Sequence, residues 1–159
     1  MRRAFTLAIV ALIAVAAVPA ARSADSIVVD RHGGDPLIVP VAGGLIYKST
    51  DKDGTSKFDG KVLLSGTYYY EAGDDPDSTS LEIALDRATM KRLPHYKDHG
   101  APDTVFLSNA TGFAVAMKLA KGTKTSRGKT QIWADQFETG IECDVANFSA
   151  RFVSLAKPA

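Results

Sequence analysis

Two histidines and two carboxylates lie close together in the segment HYKDHGAPD and have the residue types of a metal site. His95 and His99 are four residues apart, with Asp98 and Asp103 beside them. Imidazole nitrogens and carboxylate oxygens together bind zinc or copper. The flanking prolines and glycine argue against a helix, so a loop would have to bring the ligands together. A zinc or copper site is one hypothesis, and ordinary exposed loop residues are the alternative.

A second segment, DKDGTSKFDG, has the spacing of a calcium loop. Asp51, Asp53 and Asp59 occupy the first, third and ninth positions. However, Ser56 stands at the sixth position in place of Gly, and Val62 stands at the twelfth in place of the bidentate Glu. Asp and Gly are also the residues that form polar turns. The pattern therefore favours a polar turn, with weak calcium binding as the alternative.

Aromatic and basic side chains further along the chain could bind a polymer. Successive side chains of a strand face opposite sides, so Tyr69 faces away from its two tyrosine neighbours. Outward aromatic residues such as Tyr69 and Trp133 can stack on sugars or bases. Residues 116–134, which include Lys121, Lys124 and Arg127, contain basic but no acidic side chains. Residues 71–86 contain acidic but no basic side chains. The two stretches either attract one another across the fold or leave a basic edge for a ligand.

Nucleophilic catalysis has little support in the sequence. Serines, acids and three histidines are present, but no G-x-S-x-G element occurs. The single cysteine, Cys143, has no neighbour in sequence that would lower its pKa, and we expect it to be buried as a small apolar residue. We therefore expect no catalysis and rank a hydrolase third among the possible functions.

The first residues have the composition of a secretory signal. Two arginines precede an apolar run, which Pro19 ends, and small residues follow. The run is too short to span a membrane, so residues 1–23 are predicted to be a signal peptide that is removed before Ala24. Ordinary secretion and twin-arginine export both fit this start. We expect a periplasmic or secreted protein with no membrane span after processing.

The charge balance excludes a general attraction for nucleic acid. The chain has 19 Lys and Arg against 18 Asp and Glu, but three of the arginines lie in the predicted signal. The processed chain would therefore carry a small acidic excess, which attracts neither nucleic acid nor an anionic membrane. An envelope protein or a glycan is the expected partner.

Alternating apolar residues predict a mainly β protein with short helices. Val62, Leu64 and Tyr68 share one face of a strand, and Gly66 between them suggests a bulge or a sharp bend. Five strands are predicted, with a helix at residues 110–120 between the third and the fourth: 61–71, 81–86, 104–109, 128–135 and 149–155. The order β-β-β-α-β-β is that of a small oligonucleotide/oligosaccharide-binding (OB-like) barrel. A β-sandwich is the alternative if residues 110–120 form a strand.

The predicted organisation is one domain with two parts. Residues 24–60 are expected to be an N-terminal extension with short edge strands and loops, and residues 61–159 the barrel core. A chain of this size can bury a core without disulfides. The sequence therefore predicts a non-catalytic binding module without a cofactor, and a periplasmic metal-binding protein that uses the His95/His99 loop is the alternative.

Overall fold

The computed structural model describes residues 26–29, 34–75 and 78–156, so the predicted signal peptide lies outside the described residues. The elements along the chain are β1 (Ser26–Val29), β2 (Leu37–Pro40), a short 3-10 turn (Val41–Gly43), β3 (Leu45–Thr50), β4 (Ser56–Glu71), β5 (Ser80–Leu85), α1 (Arg87–Met90), β6 (His95–Tyr96), β7 (Thr104–Ser108), α2 (Ala110–Ala116), β8 (Thr125–Glu142) and β9 (Val145–Leu155). The predicted mainly β fold is confirmed.

Five of the strands form a closed ring. Their order is β4-β5-β7-β9-β8, and β8 pairs again with β4 to close it. All neighbours are antiparallel except β7 and β9, which run parallel. Along the chain the ring strands follow one another as β4, β5, β7, β8 and β9, and α2 lies between β7 and β8. The predicted barrel order β-β-β-α-β-β is therefore confirmed. Each ring strand therefore has a neighbour on both sides along at least part of its length.

The core of the barrel is filled by the inward side chains of each strand. Leu64, Ile83, Val105 and Ile132 are fully buried, one from each of four ring strands. Aromatic rings fill the ends of the interior, where Phe58 and Phe137 meet edge to face with ring centroids 5.8 Å apart. Alternation therefore encodes most of this interior, because successive residues of a strand face opposite sides.

A bulge in β8 changes which residues of that strand face inward. The pairing of β8 with β9 shifts between Asp135 and Glu138, and Gln136 has a positive φ of 49°. Ile132 and Phe137 are both buried although they are an odd number of residues apart. The extra residue reverses the alternation and bends the strand, as bulges do in small barrels.

The helix α2 covers one end of the barrel and confirms the prediction of a helix at residues 110–120. Phe113 on α2 is fully buried between Tyr68 and Phe152, with ring centroids 4.9 and 5.4 Å away. Asn109 occupies the N-cap position, but its side chain donates a hydrogen bond to the carbonyl of Phe152 instead of capping the helix. The helix is thus held by its packing against the barrel.

A separate three-stranded sheet, β1-β2-β6, contains the N-terminal part of the described chain. The sequence predicted at best an edge strand around Pro40, but β2 is the middle strand of this sheet. Pro40 is tolerated because it lies at the end of β2 and faces Ser26 of β1, beyond the two residues that pair with β6. The first barrel strand, β4, begins at Ser56, inside the predicted extension.

Cys143 is exposed, and the expectation that it is buried was wrong. With Asp144 it forms the two-residue turn between β8 and β9, and both residues have positive φ angles, 50° and 62°. This is the backbone of a type I′ hairpin turn, which projects its residues into solvent. Within the described part of the chain, none of the helices has the length and apolar character needed to cross a membrane.

Candidate ligand-binding face

The acidic turn after β3 is held together by its own hydrogen bonds. Asp51 Oδ1 accepts the backbone amides of Asp53 and Thr55 at 3.1 and 3.0 Å. The hydrogen bond from the Thr55 amide holds the pKa of Asp51 below its ordinary value. Asp59 lies on β4 and pairs with Lys48 at 3.4 Å. Turn chemistry accounts for Asp51, whereas Asp59 belongs to a strand. Calcium binding stays a prediction.

The two predicted imidazole ligands have different partners. His95 Nδ1 donates to the carbonyl of Leu93 at 3.2 Å, whereas His99 Nδ1 donates to Asp35 Oδ2 at 2.8 Å. Asp103 lines the same cavity as His99. Across the described ranges, no three His, Cys, Asp or Glu side chains are grouped closely enough to hold a metal ion. The zinc or copper site stays a prediction.

Asp35 anchors the loop that carries His99. Its carboxylate accepts the amide of Asp98 at 2.8 Å, the amide of His99 at 3.1 Å and the His99 ring at 2.8 Å. The side chain of Asp35 is only 5% exposed. Burial works to raise the pKa of Asp35, but the hydrogen bonds from the His99 ring and from the two amides outweigh it, and the pKa lies below the ordinary 3.8. Sequence reasoning missed this residue because its partners are more than 60 residues away.

Asp35→Asn is expected to lower the free energy of unfolding by about 1–3 kcal/mol near pH 7, because charge-assisted hydrogen bonds become neutral ones. Since the native pKa is depressed, this contribution is present above the ordinary pKa and is lost as the pH falls through the native one. Urea unfolding of both chains from neutral pH to about pH 2.5 should therefore show their difference shrinking with acid.

The matched control is Asp98→Asn in the same turn, because no hydrogen bond or ion pair of the Asp98 side chain occurs among the described residues. This variant should stay within about 0.5 kcal/mol of the wild type. A difference between Asp35→Asn and the wild type that does not change with pH would contradict the role of the ionised Asp35 carboxylate.

The structure brings two of the five predicted ligand-binding residues together. Tyr69 on β4 and Arg127 on β8 are cross-strand partners, and the guanidinium carbon of Arg127 lies 4.7 Å from the centre of the Tyr69 ring. Lys124 makes an exposed ion pair with Asp74 at 3.7 Å, so the acidic and basic stretches do meet. Lys121 is exposed in the turn before β8.

Trp133 does not extend this pair into one aromatic surface. It is 39% exposed on β8 and pairs with Leu63 and Ser154. Six residues of extended strand separate it from Arg127, a distance of about 20 Å. Tyr69 therefore lies near the end of the β4–β8 pair at which β8 begins, whereas Trp133 lies near its middle.

A single row of outward side chains runs from Tyr69 across the strands β5, β7 and β9 to β8. In this row Tyr69 is paired with Glu82 on β5, Glu82 with Phe106 on β7, Phe106 with Ser149 on β9, and Ser149 with Glu138 on β8. Residues in register lie about 4.8 Å apart across neighbouring strands, so Tyr69 and Phe106 are about 10 Å apart with Glu82 between them. We call Glu82, Phe106, Ser149 and Glu138 the Phe106 face.

Three cavities meet at the Phe106 face. Their volumes are about 630, 460 and 560 Å³, and Phe106 lines all three. A fourth cavity of about 490 Å³ is lined by Tyr69, Arg127 and Glu82, and Glu82 also lines the 560 Å³ cavity. The concave surface is therefore continuous from the Tyr69–Arg127 pair to Phe106, whose side chain is 54% exposed.

The two larger cavities beside Phe106 are acidic. Neither is lined by a lysine or an arginine, and six carboxylates line them: Asp53, Glu138 and Glu142 on one side, and Glu82, Asp103 and Asp144 on the other. No ion pair within the described segments involves any of the six. Such a surface repels phosphate and attracts cations.

The sequence contained part of the signal for this face. Phe106 alternates with the buried Val105 and Leu107, so its outward direction could be read locally. Nothing local indicated that Glu82 and Ser149 flank it, because strand register depends on contacts between distant segments.

The chain matches no known protein family, no curated protein and no solved structure.

Proposed function

We propose that this chain is an exported, non-catalytic binding module that holds an extended envelope partner on the Phe106 face. The observation that carries the proposal is Phe106 itself, an exposed aromatic ring where three cavities meet. Isolated exposed apolar residues are common, but an aromatic ring at the centre of a concave surface is the usual anchor of a ligand or partner.

The position of the face within the barrel supports the same function. β5 and β7 are the second and third strands of the ring, and barrels of this order bind their ligands on that side. The side chains around Phe106 include short polar residues and carboxylates that can form hydrogen bonds with hydroxyl or amide groups. The acidic character of the surface disfavours a nucleic acid, so the partner is a glycan or a protein segment of the envelope.

The proposal predicts that a polymer probe perturbs this face and depends on Phe106. We would export and purify the ¹⁵N-labelled chain and titrate it with chitohexaose and with a basic nonapeptide, following backbone amide shifts. The signals of Glu82, Phe106 and Ser149 should move with at least one probe. Phe106→Ala should weaken that binding about tenfold or more, as the loss of a central aromatic anchor does.

The control is Ile46→Ala, which removes an exposed apolar side chain from β3. Its affinity should equal that of the wild type. The proposal is wrong if neither probe binds at millimolar concentration, or if the shifts cluster elsewhere and Phe106→Ala binds as tightly as the wild type.

A further inference from the structure

We propose that the occupant of the Phe106 face is an extended Lys- or Arg-rich polypeptide segment, which adds as a strand to the edge of β9 at Val145–Phe148. This inference rests on the proposed function and names its partner class. It follows from how β7 and β9 separate, from which backbone groups they leave facing the gap, and from the charge around that gap.

The parallel strands β7 and β9 diverge on one side of Phe106. They pair only through residues 106–108 and 149–151. Before that point β7 turns toward β5, where the amide of Leu85 donates to the carbonyl of Asp103 at 2.7 Å. The residues of β9 at 145–148 pair with β8 alone among the described strands. The 560 Å³ cavity lies in this gap, between residues 101–104 and 145–148.

The register of the β8–β9 hairpin gives this edge of β9 its polarity. Glu142 and Val145 close the two-residue turn, so they and the pair Gly140–Asn147 exchange hydrogen bonds across the hairpin. The backbone N–H and C=O of Ala146, which alternates with these residues, point away from β8 toward the cavity that Ala146 lines. An extended peptide recognises such an edge through main-chain hydrogen bonds, and side-chain pockets select its sequence.

The charge around the gap selects a basic peptide. Glu82, Asp103 and Asp144 line the cavity in the gap, and the cavity on the other side of Phe106 has three further carboxylates and no lysine or arginine. Lysine or arginine side chains at alternate positions of an added strand would reach these carboxylates. The Phe106 ring can in addition accept a cation over its face, and the exposed Val145 offers apolar contact to the residues between.

The test is fluorescence anisotropy with labelled nonapeptides and the exported chain. A peptide that alternates Lys with Val or Thr should bind, and the same peptide with Glu in place of Lys should bind at least about a hundredfold more weakly. Binding of the Lys peptide should weaken as salt rises toward ~0.15 M. Methylating alternate backbone nitrogens of the Lys peptide keeps its charge but blocks strand pairing, and should reduce affinity at least about tenfold.

Two variants locate the site. Asp103→Asn with Asp144→Asn should weaken binding of the Lys peptide about tenfold or more, and asparagine tolerates the positive φ of residue 144. The matched control is Asp74→Asn with Asp75→Asn, which removes two charges from the turn after β4 and should change affinity less than about twofold.

The outcomes separate this inference from the proposed function. If chitohexaose perturbs the Phe106 face and the Lys peptide does not bind, the basic-peptide inference is wrong and the proposed function stands. Equal affinity of the methylated and unmethylated peptides would overturn strand addition at β9. Tight Lys-peptide binding that neither Phe106→Ala nor the Asp103/Asp144 variant weakens would overturn this inference, and it would overturn the proposed function as well if chitohexaose leaves the Phe106 face unperturbed.

Discussion

Phe113→Ala is expected to lower the free energy of unfolding by about 3–5 kcal/mol, the usual loss for a fully buried phenylalanine. The side chain has no exposed surface, and its ring meets Tyr68 and Phe152 edge to face. Such aromatic pairs contribute about 0.5–1.5 kcal/mol beyond their buried area. The N-cap residue of α2 makes no side-chain capping hydrogen bond, so the helix depends on this packing for its position.

Urea unfolding followed by far-UV circular dichroism measures this loss. Val115→Ala is the matched control, because Val115 lies on the same helix, is 74% exposed and should change stability by no more than about 0.5 kcal/mol. If Phe113→Ala does not fold, Phe113→Leu should fold with a smaller loss. A loss below about 1 kcal/mol for Phe113→Ala would mean that α2 does not close the barrel as described.

Gly66→Ala is expected to lower the free energy of unfolding by about 3 kcal/mol, the upper end of the usual cost of overpacking, although it adds only one methyl group. Gly66 lies in the middle of β4 and pairs with Leu85 of β5 and Thr130 of β8. A Cβ atom there would overlap the carbonyl oxygen of Ala84 and stand 3.0 Å from the Cα of Leu85. These contacts are backbone atoms of a paired strand, so only a shift of β5 away from β4 could relieve them.

The neighbouring residue provides the control for this position. Thr67→Val changes a half-buried side chain that is not part of the buried core, and should keep stability within about 1 kcal/mol. Both variants can be compared by thermal unfolding and by the dispersion of amide signals. Wild-type stability in Gly66→Ala would show that β4 and β5 do not approach this closely.

Side-chain alternation was enough to predict the barrel strands, because it follows from burial on one side of each strand alone. Leu81 and Ile83 face inward as their spacing indicates, and the helix at α2 lies between the third and fourth ring strands as predicted. The inward or outward direction of side chains could not be predicted in the same way where a bulge interrupts the alternation. The bulge at Gln136 exchanges inside and outside along β8, and no local residue type announces it.

The N-terminal strands could not be placed from the sequence because they are short and pair with distant segments. β2 consists of four residues and gains its second partner from β6, nearly 60 residues further along. The same reason applies to Asp35, whose partner His99 lies 64 residues away. The two histidines that the sequence suggested as ligands of one metal ion have different hydrogen-bond partners in the folded chain. His95 donates to the carbonyl of Leu93, and His99 donates to the carboxylate of Asp35.

The sequence by itself determined the mainly β class, the order of the barrel elements and the outward direction of Tyr69, because each depends on periodicity within one segment. The alternation around Phe106 contained the same kind of signal, which the sequence prediction did not use. Only the tertiary structure decided that Glu82 separates these two rings, that Arg127 stacks on Tyr69, and that β7 and β9 open into an acidic gap. Those features depend on strand register, which is set by the packing of distant segments around a common core.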